Sequence, residues 1–339
     1  MCKFPISYHA RRYQRRFTAG FRRNIIPGDG SMGNRSGPEY FKALLAAVSC
    51  VLFWGFSFVS IKITVGFFGP MTLGAVRFAV ALILLFFIKQ RLAPGEKMKR
   101  GDLPFFAGAG LAGITLYFFC ENNGVALVTA SEASIIIAAI PVITMIAEWA
   151  EGRIRGRREG RPALFVILRW TGAILSMLGV ALVAGVSFTL SGSGAGYLFM
   201  AGASLSWVFY CFFTRPLLGR YSRIYIVFWQ SLFGFAGFLP FVFFESLPNP
   251  ALSPGVWGHV IFLGVCCSAL GYWFYAGALE VLGVGVSSVF INFIPVVTAA
   301  AGFFILGERL RPLQWAGAVL VIAGVCLVMA EPKPAGPDQ

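Results

Sequence analysis

Two ionisable residues lie inside long apolar stretches of the sequence, where a charge is unexpected. Arg77 falls in the middle of the stretch 69–89, and Glu121 lies near the end of the stretch 103–122. A charged side chain in hydrocarbon costs several kcal/mol, so both residues are candidates for function. Arg77 is either a hydrogen-bond donor between helices or a counter-charge for an anionic substrate. Glu121 is either a carboxylate at the water interface or a site for a substrate amine or a proton.

Aromatic and small polar side chains in the other apolar stretches extend this candidate site. Ligand pockets usually combine apolar walls with a few polar groups that fix orientation. The candidate set is Trp54, Ser57, Arg77, Glu121, Asn122, Trp207, Tyr210, Gln230 and Asn292, with Trp229 as a further wall residue. Taken singly, each of these residues also fits ordinary packing between helices. Pro141 and Pro295 are expected to interrupt helices and expose backbone carbonyls, the alternative being a simple kink.

The sequence offers little for covalent, redox or metal chemistry. It has seven cysteines without a CxxC pair and only two histidines, so the spacing of a zinc site is absent. It contains no HExxH motif and no P-loop. We therefore predict no metal, no cofactor and no enzyme activity. An intramembrane enzyme is therefore kept only as an alternative, beside a non-transporting membrane receptor or scaffold.

The composition indicates that lipid surrounds most of the chain. Of its 339 residues, 58% are hydrophobic and 12% are charged, whereas soluble domains carry about 25% charged residues. The net charge of +14 comes from short basic clusters between uncharged stretches. Such clusters are typical of loops at the cytoplasmic leaflet, and they argue against nucleic-acid binding.

The apolar stretches are long enough to form membrane-spanning helices of about twenty residues. We predict an all-α membrane protein with ten transmembrane helices; nine or eleven stay open, because the signals that separate the third span from the fourth and the eighth from the ninth are weak. The predicted spans are 42–62, 69–89, 103–122, 129–149, 168–187, 196–214, 224–244, 257–276, 286–306 and 312–330.

Basic residues crowd alternate loops, which sets the predicted orientation. Lys and Arg are concentrated in the N-terminal tail 1–40 and in the loops 89–100, 153–169 and 215–223. The positive-inside rule therefore places both termini, including the tail 331–339, in the cytoplasm. A bacterial inner membrane is the expected location. The tail 1–40 is predicted to be disordered, and whether translation starts at Met1 or Met32 stays open.

Landmark residues recur in the same order in the two halves of the chain, at offsets of 153, 154 and 145 residues. The first half corresponds to residues 41–187 and the second to residues 195–330. Each half holds five spans, and because five is odd, the second half enters the membrane from the opposite side. The matched landmarks are Trp54 and Lys62 with Trp207 and Arg215; Arg77 with Gln230; Ser134, Pro141 and Thr144 with Ser288, Pro295 and Thr298; and Trp170, Gly172 and Gly179 with Trp315, Gly317 and Gly324.

Several short motifs resemble those of the drug/metabolite transporter superfamily, in particular its EamA-domain branch. The matching residues are Leu52 to Val59 with Lys62, Pro70 with Arg77-Phe78, Ile140-Pro141-Val142, Ile294 to Thr298, and Leu306-Gly307-Glu308-Arg309-Leu310 with Gln314 to Gly317. The first half departs from the pattern, because Ala150-Glu151-Gly152-Arg153 stands where the Gly-Glu-Arg motif is expected.

This resemblance implies a secondary transporter of small metabolites or drug-like molecules, with an exporter expected, working by alternating access. Substrates of three classes fit the aromatic residues: amino acids, nucleobase-like metabolites and amphipathic drugs. Substrate identity, direction, coupling to protons or facilitated exchange, and assembly as monomer or homodimer all stay open.

Overall fold

The computed structural model describes residues 37–64, 67–127, 136–154, 163–183, 194–245, 253–306 and 311–329. Most of the predicted tail 1–40, the tail 331–339, the loop residues 155–162, Ser134 and the Gly-Glu-Arg motif at 307–309 lie outside these ranges. The described residues are almost entirely helical, with one isolated bridge between Leu218 and Tyr221.

The helices are numbered here in chain order. They are α1 (Pro38–Thr64), α2 (Pro70–Leu92), α3 (Leu103–Gly110, a π-helical segment Leu111–Leu116, and Tyr117–Leu127), α4 (Ile140–Ile154), α5 (Ala163–Val183), α6 (Gly194–Thr214), α7 (Arg223–Val242), α8 (Pro254–Phe262, a π-helical segment Leu263–Leu270, and Gly271–Phe290), α9 (Phe293–Leu306) and α10 (Pro312–Met329). A short 3₁₀ turn, Arg100–Asp102, precedes α3.

Among the described residues, eight helical stretches are long and apolar enough to cross a bilayer. Helices α4 and α9 are shorter, at 15 and 14 residues. Helices satisfy their own backbone hydrogen bonds, which is the condition for crossing lipid. The predicted all-α membrane class is therefore confirmed.

The eighth predicted span differs from the structure at its end. The sequence places that end at residue 276, but helical structure continues over Pro254–Phe290 with one non-helical residue, Gly283. Gly283 has φ +79°, a conformation that glycine adopts without the steric penalty of a side chain. The break between the eighth and ninth predicted spans therefore lies at Gly283.

The two prolines that the sequence predicts at helix interruptions stand directly after such interruptions, in the first turns of α4 and α9. Pro141 is the second residue of α4, and Pro295 is the third residue of α9. A proline in the first turn removes no intrahelical hydrogen bond, so it does not kink the helix. The helix breaks are turns at residues 138–139 and 291–292, just before each proline.

Glycines allow α5 and α10 to approach each other closely. A Cβ atom added to Gly172 would lie 2.5 Å from the Gly324 carbonyl oxygen, and one added to Gly179 would lie 2.7 Å from the Gly317 carbonyl oxygen. Small residues at such crossings let two helix backbones pack directly in a membrane. Further extensive contacts join α1 to α8, α2 to α7 and α3 to α6.

Candidate functional site

A cavity with an empty volume of about 840 Å³ lies among α1, α2, α3, α6, α8, the first turns of α4 and α9, and the helix breaks before those turns. This volume counts all the space between the lining atoms and includes the open mouth. Along α1 the cavity extends from Trp54 to Ile61, toward the end of that helix at Thr64. Its lining is mostly apolar and aromatic, with a few polar groups.

Most of the candidate residues from the sequence meet in this cavity. The lining includes Trp54, Ser57, Arg77, Glu121, Trp207, Asn292 and Pro295. They come from five helices and one helix break, so the fold brings together residues as far apart in sequence as Trp54 and Pro295.

Five candidates, Trp229 among them, lie outside the cavity lining. Asn122 donates a hydrogen bond from Nδ2 to the Pro70 carbonyl oxygen at 3.1 Å, which joins α3 to the start of α2. Gln230 is buried and donates from Nε2 to the Thr214 hydroxyl at 3.0 Å. Tyr210 packs against Trp207 from beneath, with 5.1 Å between ring centroids. Pro141 is buried in the first turn of α4.

Arg77 is held in place without being neutralised. The residue is 4% exposed, and its Nε donates a hydrogen bond to the Ser268 hydroxyl at 2.8 Å. Its guanidinium carbon lies 4.7 Å from the centre of the Phe118 ring, within cation–π distance. Among the described residues, no carboxylate lies within 4.0 Å of the guanidinium. Arg77 therefore presents a fixed positive charge to the cavity.

Glu121 lies in the wall of the same cavity and is only partly exposed. Its Oε1 accepts a hydrogen bond from the Tyr117 hydroxyl at 2.9 Å. Tyr117 stands four residues earlier in α3, the spacing that places two side chains on one helix face. The carboxylate is thus oriented toward the cavity by its own helix.

The two tryptophans that the repeat pairs with each other form an aromatic floor. Trp54 and Trp207 meet edge to face, with 5.2 Å between ring centroids and an interplanar angle of 86°. Trp54 Nε1 donates to the Cys267 carbonyl oxygen at 3.0 Å, and Trp207 Nε1 donates to the Tyr275 hydroxyl at 3.3 Å. Because both indole N–H groups have protein partners, the floor offers a ligand ring faces and edges.

Several lining residues were absent from the sequence-based set: Ile61, Tyr117, Phe118, Ile137, Ala138, Ile140, Met200, Tyr272, Ile291 and Ile294. Two signals in the sequence pointed to some of them. Tyr117 lies one helical turn before Glu121. Phe118 and Tyr272 are related by the repeat offset of 154, as are Ile137 and Ile291. Met200 carried no signal of this kind.

Several ion pairs lie at the helix ends that are farthest from the cavity. Glu151 near the end of α4 pairs with Arg215 just after α6 at 2.9 Å, and Glu148 pairs with Arg169 of α5 at 3.0 Å. Asp102 before α3 pairs with Arg220 at 2.7 Å. Further contacts at these ends join Arg223 to Glu280 and the Ser222 hydroxyl to Glu96. Ion pairs therefore join the helices at this end of the bundle, whereas the cavity lies toward the other end.

A family model for EamA-like transporters matches residues 41–154 and 194–330, which together are most of the chain. The chain belongs to the EamA-like transporter family. Membership in this family, together with the apolar helices, identifies an integral multi-pass membrane transporter.

Individual relatives agree with this assignment. An uncharacterized transporter of Archaeoglobus fulgidus is 29% identical over 290 residues, covering 82% of this chain and 95% of its own. A protein of Streptantibioticus cattleyicolor, named a probable terminal-alkyne amino-acid exporter, is 28% identical over 297 residues, covering 85% and 93%. A solved crystal structure shares the fold with a TM-score of 0.65 at 19% identity, covering 84% of this chain and 95% of that one.

Proposed function

We propose that this EamA-like transporter exports a small zwitterionic molecule of the amino-acid type by alternating access. The observation that carries the proposal is that Arg77 and Glu121 line one cavity while no ion pair within 4.0 Å joins them in the described part of the chain. The name of the Streptantibioticus cattleyicolor relative, an amino-acid exporter, supports the same substrate class.

A zwitterion complements the two charges of the cavity. The Arg77 guanidinium offers a fork of donors to a carboxylate, and the Glu121 carboxylate accepts from an ammonium group. A ligand with only one of these groups would leave one buried charge without a partner, which is costly in an apolar site. The ring faces of Trp54, Trp207 and Tyr272 then provide an apolar wall for the ligand side chain.

Reciprocal contacts support an architecture of ten spans in two inverted five-helix repeats. At the offset of 145, Gly172 corresponds to Gly317 and Gly179 to Gly324, and Gly172 meets Gly324 while Gly179 meets Gly317. When the repeat equivalents of two contacting residues also contact each other in this reciprocal way, the two surfaces are related by a two-fold axis. The axis passes between α5 and α10.

A second pair of contacts repeats the exchange elsewhere. A Cβ atom on Gly110 would lie 2.4 Å from the Gln230 carbonyl oxygen, and one on Gly264 would lie 2.9 Å from the Arg77 carbonyl oxygen. Gly264 stands 154 residues after Gly110, and Gln230 stands 153 residues after Arg77. The π-helical segments Leu111–Leu116 and Leu263–Leu270 also occupy matching places in the two halves.

With the termini in the cytoplasm, the cavity faces outward. Helix α1 then runs from the cytoplasm outward, so Ser57 and Ile61 lie on the outer side of Trp54. The ion-paired ends that carry Arg215, Arg220 and Arg223 lie at the cytoplasmic surface, in agreement with the positive-inside rule. The structure then represents an outward-facing state that is closed toward the cytoplasm.

A matched set of ligands tests the proposal on the purified protein. An aromatic or aliphatic α-amino acid is expected to raise the Tm, whereas its carboxamide and its deaminated acid, each lacking one charge, are expected to give a much smaller shift. Arg77→Gln should remove the preference for the amino acid over the carboxamide. Equal stabilisation by all three ligands would contradict recognition of a zwitterion.

Glu121→Gln is expected to abolish the pH dependence of transport and to weaken ammonium recognition. A carboxylate in a largely apolar cavity can carry either a proton or a substrate cation, while glutamine carries neither. The measurement is initial transport rate in liposomes between pH 5.5 and 8 for the wild type and the variant. Asn123→Asp, at a neighbouring polar position whose Nδ2 bonds the Phe119 carbonyl oxygen at 2.7 Å, supplies a control for adding charge nearby. If Glu121→Gln kept the pH profile of the wild type, proton coupling would depend on a residue other than Glu121.

Replacing both Trp54 and Trp207 with Ala is expected to reduce transport by about tenfold or more, since stacking of aromatic groups contributes about 1 kcal/mol per pair beyond area burial. The variant should still insert into the membrane, because its spans remain long and apolar. Trp315→Ala, on the exposed face of α10 at 54% exposure, is the matched control. Normal transport by the double variant would mean that the two rings serve packing alone.

A further inference from the structure

Polar side chains lie buried beneath the cavity floor without the partners they require. Tyr210 and Gln230 are 0% and 1% exposed, and neither lines the cavity. The Gln230 Oε1 and the Tyr210 hydroxyl have no well-formed hydrogen bond to any described residue, although the Tyr210 hydroxyl lies near Thr214. Buried polar atoms without hydrogen-bond partners are rare in folded proteins, so each one needs a physical explanation.

The internal repeat gives these residues counterparts in the open cavity. At the offset of 153, Ser57 corresponds to Tyr210, Ile61 to Thr214 and Arg77 to Gln230. The first member of each pair lines the cavity, and the second does not. In an inverted repeat, the second members lie at the matching depth on the cytoplasmic side.

For residues near the middle of the membrane, both members of a repeat-related pair line the cavity, as an inverted repeat predicts. Trp54 and Trp207 both line the cavity, and so do Ile137 and Ile291. These pairs are related by offsets of 153 and 154. Residues near the two-fold axis face the substrate in every state, whereas residues away from it face a path that is open on one side only.

We propose that Tyr210, Thr214 and Gln230 line the cytoplasmic half of the transport path, which is closed in this state, and that the Arg215–Glu151 ion pair is its gate. This inference rests on the proposed function. When the gate opens, water or the substrate ammonium supplies partners to the Tyr210 hydroxyl and to Gln230 Oε1. The outer half binds through a charged arginine, while its inner counterpart offers a neutral amide, so the inner half holds a carboxylate less tightly.

The order of residues along α6 and just beyond it fits such a path. Trp207 lies at the cavity floor, Tyr210 and Cys211 follow about one turn later, and Thr214 and Arg215 follow after another turn. At 1.5 Å per residue, the distance from Trp207 to Arg215 is about 12 Å. Cys211 is 0% exposed, and its Sγ lies 3.5 Å from the Tyr275 hydroxyl, which closes the path below the floor.

The ion pair joins the two walls of this path across the repeats. Arg215 Nη1 lies 2.9 Å from Glu151 Oε2, with Arg215 following α6 of the second half and Glu151 in α4 of the first half. In contrast, Arg223 and Glu280 both belong to the second half, in α7 and α8. Opening the path separates the first pair and leaves the second within its own half.

Cys211 provides a native reporter for the closed path. In a variant that keeps Cys211 and replaces the other cysteines with Ala, a membrane-impermeant maleimide is applied from either face of oriented vesicles. The replaced residues are Cys2, Cys50, Cys120, Cys266, Cys267 and Cys326. Glu151→Gln in this background is expected to raise the labelling rate from the cytoplasmic face by about three- to tenfold, the effect of losing a half-exposed ion pair.

Matched variants separate gating from loss of fold. Glu280→Gln should leave the labelling rate unchanged, and the charge exchange Glu151→Arg with Arg215→Glu should restore protection. Unchanged labelling in Glu151→Gln, faster labelling from the outer face, or equal effects of Glu151→Gln and Glu280→Gln would each overturn the inference. Because the readout needs no substrate, a failure of the substrate proposal leaves this test intact.

Discussion

Arg77→Gln is expected to lower kcat/KM for a zwitterionic substrate by about 100-fold, the effect of losing roughly 3 kcal/mol of charge-assisted binding. The guanidinium is fixed by Ser268 and lies over the Phe118 ring, so its donors are oriented before a ligand arrives. Such preorganisation makes the charge effective in an apolar cavity. The measurement is initial transport rate in liposomes over a range of substrate concentrations.

Two variants separate the charge of Arg77 from its structural contacts. Ser268→Ala removes the hydrogen-bond acceptor of Nε but keeps the charge, and it is expected to cost less than about tenfold. Arg77→Lys keeps a positive charge without the planar fork, so it should fall between the wild type and Arg77→Gln. If Arg77→Gln transports normally, or if Ser268→Ala is equally damaging, Arg77 serves the packing of α2 against α8.

Gly172→Leu is expected to prevent stable folding of the protein, because the free energy of unfolding should fall by more than about 3 kcal/mol. A Cβ atom at this position would lie 2.5 Å from the Gly324 carbonyl oxygen and 2.8 Å from the Val328 Cγ2 atom. The nearer contact is backbone of the partner helix, which cannot rotate away. The measurement is the yield of monodisperse protein together with its Tm.

Gly258→Leu is the matched control for this effect. Gly258 also lies within a membrane-spanning helix, but a Cβ atom added there meets nothing within 4 Å. The variant should therefore retain normal yield and Tm. If Gly172→Leu behaved like Gly258→Leu, the contact between α5 and α10 would not hold the two halves together.

The all-helical membrane class followed from composition. Lipid requires long apolar helices, so the transmembrane class could be predicted from uncharged stretches of about twenty residues, such as residues 196–214. Helix ends were less predictable, because apolar residues continue through turns. The helix beyond residue 276 and the break at Gly283 depend on backbone conformation, which composition does not encode.

The candidate site was predictable where the residue type is costly in lipid. Arg77 and Glu121 could be identified because an ionisable side chain inside a membrane is energetically costly and usually has a function. Tyr210 and Gln230 were chosen instead as aromatic and polar wall residues, and both lie outside the cavity lining. Met200 was missed, since an apolar residue in an apolar helix carries no signal.

Counterflow in liposomes measures directly whether the protein exchanges a zwitterion across the bilayer. Vesicles that contain the purified protein are loaded with an unlabelled α-amino acid and diluted into a trace of the same compound in labelled form. We expect transient accumulation of label in wild-type vesicles, with little accumulation in Arg77→Gln vesicles or when the carboxamide replaces the amino acid. An amino acid that stabilises the wild-type protein but never accumulates would contradict a transporter of zwitterions.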